Sequence, residues 1–211
     1  ASYEDNVRCY YNLVGQTDDM LSFNMNDNYD EERLEAVEKL NNSFDRFLFF
    51  LTKIRVYCIF NRHTEACTMA QSIAPLQGEM VGTMHVPEFV FYYSLAISGA
   101  YENAAPLKKM GYRMKLSSNL GKMNKFAKLA PQNFLHKSQL IQAEIFRLRG
   151  KIKKADAMYD KAINNCIENN YVNNHAIACE RAATFHLDIG NTEKAKTLLK
   201  NAHYSYSKWG A

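Results

Sequence analysis

The 211 residues carry 26 Lys and Arg against 22 Asp and Glu, a formal charge of +4, with 47% hydrophobic and 23% charged side chains. That composition belongs to a folded globular chain able to bury roughly 70% of its unfolded surface, and it disfavours extended disorder. The net charge is mild, whereas a nucleic-acid binder concentrates its basic residues on one face, and the longest uncharged apolar runs, such as residues 47–52, are far too short for a bilayer.

Glu4, Asp5 and Arg8 interrupt any apolar leader, so no signal peptide is expected at the start. Cys9, Cys58, Cys67, Cys166 and Cys179 are odd in number and scattered, which predicts reduced cytosolic thiols and a cytoplasmic chain. Four prolines and nine glycines suit long helices with few turns.

In chain order, a short helix is predicted over residues 3–14, with Val7, Tyr10, Tyr11 and Val14 on one side and Gly15 as its stop. The polar stretch 17–28 predicts a loop, and residues 1–29 together form a flank. Asp30 then caps a helix running to about Phe60, whose seam is Leu34, Val37, Leu40, Phe44, Phe47, Leu48, Leu51, Ile54 and Cys58. A partner helix follows over 64–76, then a loop over 77–85 containing Gly78 and Gly82. Pro87 opens a helix over 87–100 that is apolar nearly all round and belongs inside a stack. Pro106 opens the next, with Met110, Met114, Leu116, Met123 and Phe126 at helical spacing and its basic residues spread around the outside; Pro131 ends it.

Helices at about 134–149, 152–169, 172–189 and 192–208 complete the chain, and their short links force antiparallel neighbours. They contain one unit twice. Ala143, Phe146, Gly150, Ala155, Tyr159 and Ala162 match Ala183, His186, Gly190, Ala195, Leu199 and Ala202 position for position, at a period of about forty residues. Small residues before and after each bend let two helices approach, bulky ones fill the groove, and glycine supplies the left-handed bend. Thr192 and Glu193 predict an N-cap and an acidic first turn, and Gly210 a C-terminal stop. A degraded copy over 44–76 places Ile54, Tyr57, Asn61, Ala66, Ala70 and Ile73 on the same template.

The expectation is an all-α, tetratricopeptide-like solenoid: a right-handed superhelix of antiparallel helix pairs, about nine helices, spanning 30–211, with its clearest repeats at 134–169 and 172–209. The segments VPEFVFYYSLAISGAY (86–101), PQNFLHKSQLIQAEIFRLRGK (131–151), YDKAI (159–163) and NAHYSYSKWGA (201–211) also resemble, as a set, the tetratricopeptide-like helical region of large multi-kinase signalling proteins. In those proteins the region follows an AAA-type ATPase domain and precedes a GAF sensor and a histidine kinase. The resemblance implies a fragment of a longer chain, cut at a domain boundary, whose catalytic domains lie outside these residues.

Candidate chemistry is weak by comparison. Asn24, Asn26, Asn28, Glu32 and Glu35 fall at calcium-loop positions, but position 1 lacks Asp and Tyr29 stands where glycine is needed, so a polar loop is expected. His175, Cys179 and Cys166 could offer soft ligands to zinc, with ordinary packing preferred. His186 is expected as a core histidine bonded to a carbonyl rather than a general base. Asp18 and Asp19 are assigned to helix capping, and Lys151, Lys153 and Lys154 to a solvated helix start. Gly78 and Gly82 lack the residues of a phosphate loop. Phe91, Tyr92, Tyr93 and Tyr101 form core rather than a ligand pocket.

No catalytic residue, metal or cofactor is therefore expected. The leading reading is a non-catalytic interaction and signal-relay module whose partners are other domains of the same polypeptide or a protein or peptide. A free-standing peptide-binding scaffold and an all-helical enzyme are the alternatives.

Overall fold

The computed structural model describes residues 2–39 and 42–210, which are all-helical with no strand among them. The chain divides into two compact units, Ala1–Asn103 and Ala104–Ala211.

The first unit contains α1 (Ser2–Leu13), α2 (Tyr29–Lys39), α3 (Ser43–Ile59), α4 (His63–Ile73), a 3-10 segment (Ala74–Met80) and α5 (His85–Ala100). The helix expected from Asp30 to Phe60 is two helices. Asn42 ends the continuity, because its side-chain oxygen accepts the Phe44 and Asp45 amides and starts α3 afresh. Leu40 lies outside the described residues, and Phe44 is exposed rather than in the seam.

Arg33 joins α2 to two other helices. From α2 it pairs with Asp5 of α1 at 2.9 Å and with Asp45 of α3 at 2.6 Å, and Tyr29 donates to Asp5 as well. Asp30, expected as a helix cap, instead accepts from the Phe23 amide, the Ser22 hydroxyl and the Lys53 ammonium, which fastens the preceding loop onto α3. Cys9, Phe23 and Tyr29 share one core with Val37, Phe49 and Val56. Within the expected loop 77–85, residues to Met80 form the 3-10 segment, and α5 starts at His85, two residues before Pro87. Phe91, Tyr92, Tyr93 and Tyr101 are all buried in the core of this unit, as expected.

The second unit contains α6 (Pro106–Leu129), α7 (Pro131–Leu148), α8 (Ile152–Glu168), α9 (Val172–Asp188) and α10 (Thr192–Trp209), giving ten α-helices among the described residues. Each packs on its neighbour in sequence, with α7 also reaching α9. Pro131 begins α7 rather than ending α6, since proline at the first helical position forfeits no hydrogen bond.

The bends share one geometry. At Gly150 the glycine amide donates to the carbonyl three residues back and the Lys151 amide to Phe146, a Schellman motif. Gly190 repeats it with Leu187 and His186 as acceptors, and Asn170 repeats it midway with Ile167 and Cys166. All three bend residues have positive φ, +65°, +78° and +59° in the order Gly150, Gly190, Asn170. In the first unit Asn61 makes the same bend at +58°, with Ile54, Ala66, Ala70 and Ile73 buried around it as the degraded copy requires. Gly210 closes α10 in the left-handed region. The α10 cap is Asn191, whose side chain accepts the Lys194 amide, and Thr192 is the first helical residue instead.

Candidate functional site

Of the repeat positions, Ala143, Ala155, Tyr159, Ala162, Ala183, His186, Ala195 and Ala202 are buried, which places the small residues where α7 meets α8 and α9 meets α10. Phe146 is half-buried, with the Lys154 ammonium over its ring. Leu199 does not fill the groove. It is 44% exposed, while Leu198, one residue earlier, is 6% exposed and takes the inward position. Leu198 and Leu199 lie three and four residues on from Ala195, both within reach of its face, and packing turns Leu198 inward.

Tyr159 serves more than packing. Its hydroxyl donates to the buried carboxylate of Glu144 at 2.8 Å, and the same carboxylate receives both Arg181 of α9 and Arg147 of α7 at 2.9 Å. Burial would raise the Glu144 pKa, but the charges of Arg181 and Arg147, with the hydrogen bonds from Arg181 and Tyr159, outweigh it and hold the carboxyl well below its ordinary range. One carboxylate thereby ties α7, α8 and α9. A second tie crosses one helix further on. His186 of α9 meets Asp156 of α8 at 3.0 Å, and Asp156 also accepts from Lys194 of α10 at 2.7 Å. His186 is a core histidine as expected, but its partner is this carboxylate rather than a carbonyl.

A cleft of about 340 Å³ opens where the α8–α9 bend faces α10, lined by Asn170, Tyr171, His175, Tyr204, Ser205 and Lys208 among others. Tyr171 is fixed there by stacking on His136 at 4.4 Å and by donating to Asn133. His136 pairs with Asn174 at 2.7 Å, and burial, then the Lys137 charge, push its pKa down to about 3, so it is neutral. On the cleft wall, His175 Nδ1 lies 2.8 Å from Ser205 Oγ, and its Nε2 faces the Cys179 thiol at 3.6 Å.

A serine beside an imidazole suggests a nucleophile and base, yet a hydrolase also orients that imidazole with a carboxylate on its second nitrogen. Here that nitrogen faces a thiol whose pKa burial pushes up to about 12. The arrangement can bind a ligand through hydroxyl, imidazole, amide and ammonium groups; it lacks the polarisation that makes serine attack. Burial, then Cys179, likewise pushes the Cys166 thiol up to about 12. Among the described residues no group of three or more His, Cys, Asp or Glu could hold a metal ion.

The remaining candidates resolve locally. Asn24 accepts the Asp30 amide and Glu35 pairs with Lys39, so the calcium-loop positions do not converge. Asp18 accepts the Asn26 amide and Asp19 the Leu21 amide, which makes them loop staples rather than helix caps.

No family model, curated protein or solved structure matches the chain. No helix among the described residues is long and apolar enough to cross a membrane.

Proposed function

We propose that the chain is a non-catalytic helical-repeat module of a large signal-transduction kinase, serving as interdomain scaffold, signal relay and protein-interaction surface. Its helix pairs continue as a right-handed, tetratricopeptide-like superhelix. The observation that carries this reading is the recurrence of one bend at Gly150, Asn170 and Gly190, twenty residues apart, with the same pair of hydrogen bonds each time. Helices joined that way touch mainly their sequential neighbours, so a small rotation at one end is passed on rather than absorbed. The α8–α9–α10 cleft supports a binding role in addition to spacing.

The test is hydrogen exchange on the native full-length protein with and without ATP. A nucleotide-dependent change in amide protection across α7–α10 is the expected result. Unchanged protection there, or a native reading frame without flanking ATPase or kinase domains, would overturn the relay.

A further inference from the structure

α6 stands apart from its unit in charge. Its 24 residues carry seven basic side chains and no acidic one. The mild total conceals a strong division: residues 104–211 hold nineteen Lys and Arg against seven Asp and Glu, whereas residues 1–103 hold seven against fifteen. Like charges three and four apart, as at Lys122, Lys125 and Lys128, destabilise a helix. Burial, then the charge of Lys122, push the Lys115 ammonium below its ordinary pKa.

The face of α6 opposite its core is also apolar. Tyr112, Leu116, Met123 and Ala127 point inward, while Leu107, Met110 and Met114 stand 78%, 57% and 68% exposed in a row along the first two turns. Beyond them the surface falls away at Ser117, Ser118 and Gly121. Among the described residues nothing approaches within 4 Å of a Cβ placed at Gly111 or Gly121. Glycine inside a helix costs about 1 kcal/mol against alanine, and no neighbour uses the space these two leave.

We propose that α6 is the docking surface for an acidic amphipathic helix of a partner protein, seated on Leu107, Met110 and Met114 and crossing the Gly and Ser depression, with its carboxylates among the flanking lysines. The charge selects an acidic partner. The depression selects a rod over a plane: a bilayer needs an unbroken row of protruding apolar side chains, and here two turns of small residues interrupt it. Unbranched methionines suit a surface that adapts to an incoming helix. The proposal rests on the reading of the chain as an interaction module and adds the chemistry of one partner.

The probe is a fluorescent twenty-residue helical peptide with Leu and Phe on one face and Glu elsewhere, compared with its Glu-to-Gln twin by anisotropy on the full 211-residue chain. The Glu peptide should bind at least tenfold tighter than the Gln peptide and weaken at least fivefold between 50 and 300 mM NaCl. Met110→Glu with Met114→Glu, and separately Lys125→Glu with Lys128→Glu, should each cost at least tenfold, while Lys200→Glu on α10 leaves binding unchanged. All these side chains are exposed, and circular dichroism verifies the fold. Equal affinity for the two peptides, indifference to the α6 variants, tighter binding to phosphatidylserine vesicles or duplex DNA, or burial of α6 in a self-dimer would each overturn it. Capture of a natural partner through another surface would sink this proposal while leaving the interaction-module reading intact.

Discussion

The Tyr159 hydroxyl donates to Glu144 Oε1 at 2.8 Å in the interior of the second unit, although the two residues sit on different helices and neither is near solvent. The same carboxylate holds Arg181 and Arg147, so its removal strands two cations. Glu144→Ala should cost about 3–5 kcal/mol in urea unfolding, the range for breaking a buried ion pair from one side. Tyr159→Phe removes one neutral donor and should cost about 1 kcal/mol.

Acid should destabilise the chain in two overlapping windows. His136 has its folded pKa pushed down to about 3, so below the ordinary histidine value of 6.5 the unfolded state binds a proton that the folded state refuses. Stability then falls as pH drops from 6.5 toward 3. Glu144 has its folded pKa depressed, so its contribution is complete above the ordinary value of 4.5 and is lost as pH falls below it. Melting temperature followed from pH 7 to pH 3 should decline in both windows. Glu144→Gln should flatten the decline only below pH 4.5, whereas His136→Asn should flatten it from pH 6.5 downward, including the stretch between 6.5 and 4.5 where Glu144→Gln has no effect.

Neighbouring leucines of α10 should behave oppositely. Leu198→Ala removes a buried side chain and should cost about 2–5 kcal/mol, whereas Leu199→Ala, at a half-exposed position, should stay within about 1 kcal/mol. Equal effects would mean that α10 is rotated from the register described.

Gly190→Ala and Gly150→Ala should each cost about 1–2 kcal/mol through backbone strain alone, because both glycines have positive φ and a Cβ at either meets nothing within 4 Å. Asn170→Gly should be neutral or stabilise by a few tenths of a kcal/mol, since asparagine already tolerates that conformation less well than glycine. Thermal melts resolve these differences.

Cys166 and Cys179 are buried, with thiol pKa values of about 12, and should resist a thiol-specific reagent at pH 8 until the protein unfolds. Rapid labelling of either in the native state would mean that the α8–α9 contact opens readily.

How far the sequence carries follows from the range of each interaction. Gly150, Gly190 and the helices either side of them are legible because the signal is local: a glycine, two alanines and a period. Asn42 is not legible within the helical pattern because leucine and phenylalanine spacing continues across it, and only its side-chain bonds to Phe44 and Asp45 show the new start. Pro131 is ambiguous because proline serves equally after one helix and at the first position of the next. The repeat period points to Leu199, and packing alone turns its neighbour Leu198 inward. The Glu144–Arg181 pair spans 37 residues and the His175–Ser205 pair thirty. No periodicity announces such pairs, though a Glu and an Arg at buried registers of successive repeat helices would be the clue to seek.

Consecutive helix pairs lock onto one another at the Glu144–Arg181 contact between α7 and α9. A double-mutant cycle with Glu144→Gln and Arg181→Met, read by urea unfolding, tests it most directly. Coupling of about 1.5–3 kcal/mol is the predicted result; additivity within about 0.5 kcal/mol would contradict the packing of one pair upon the next.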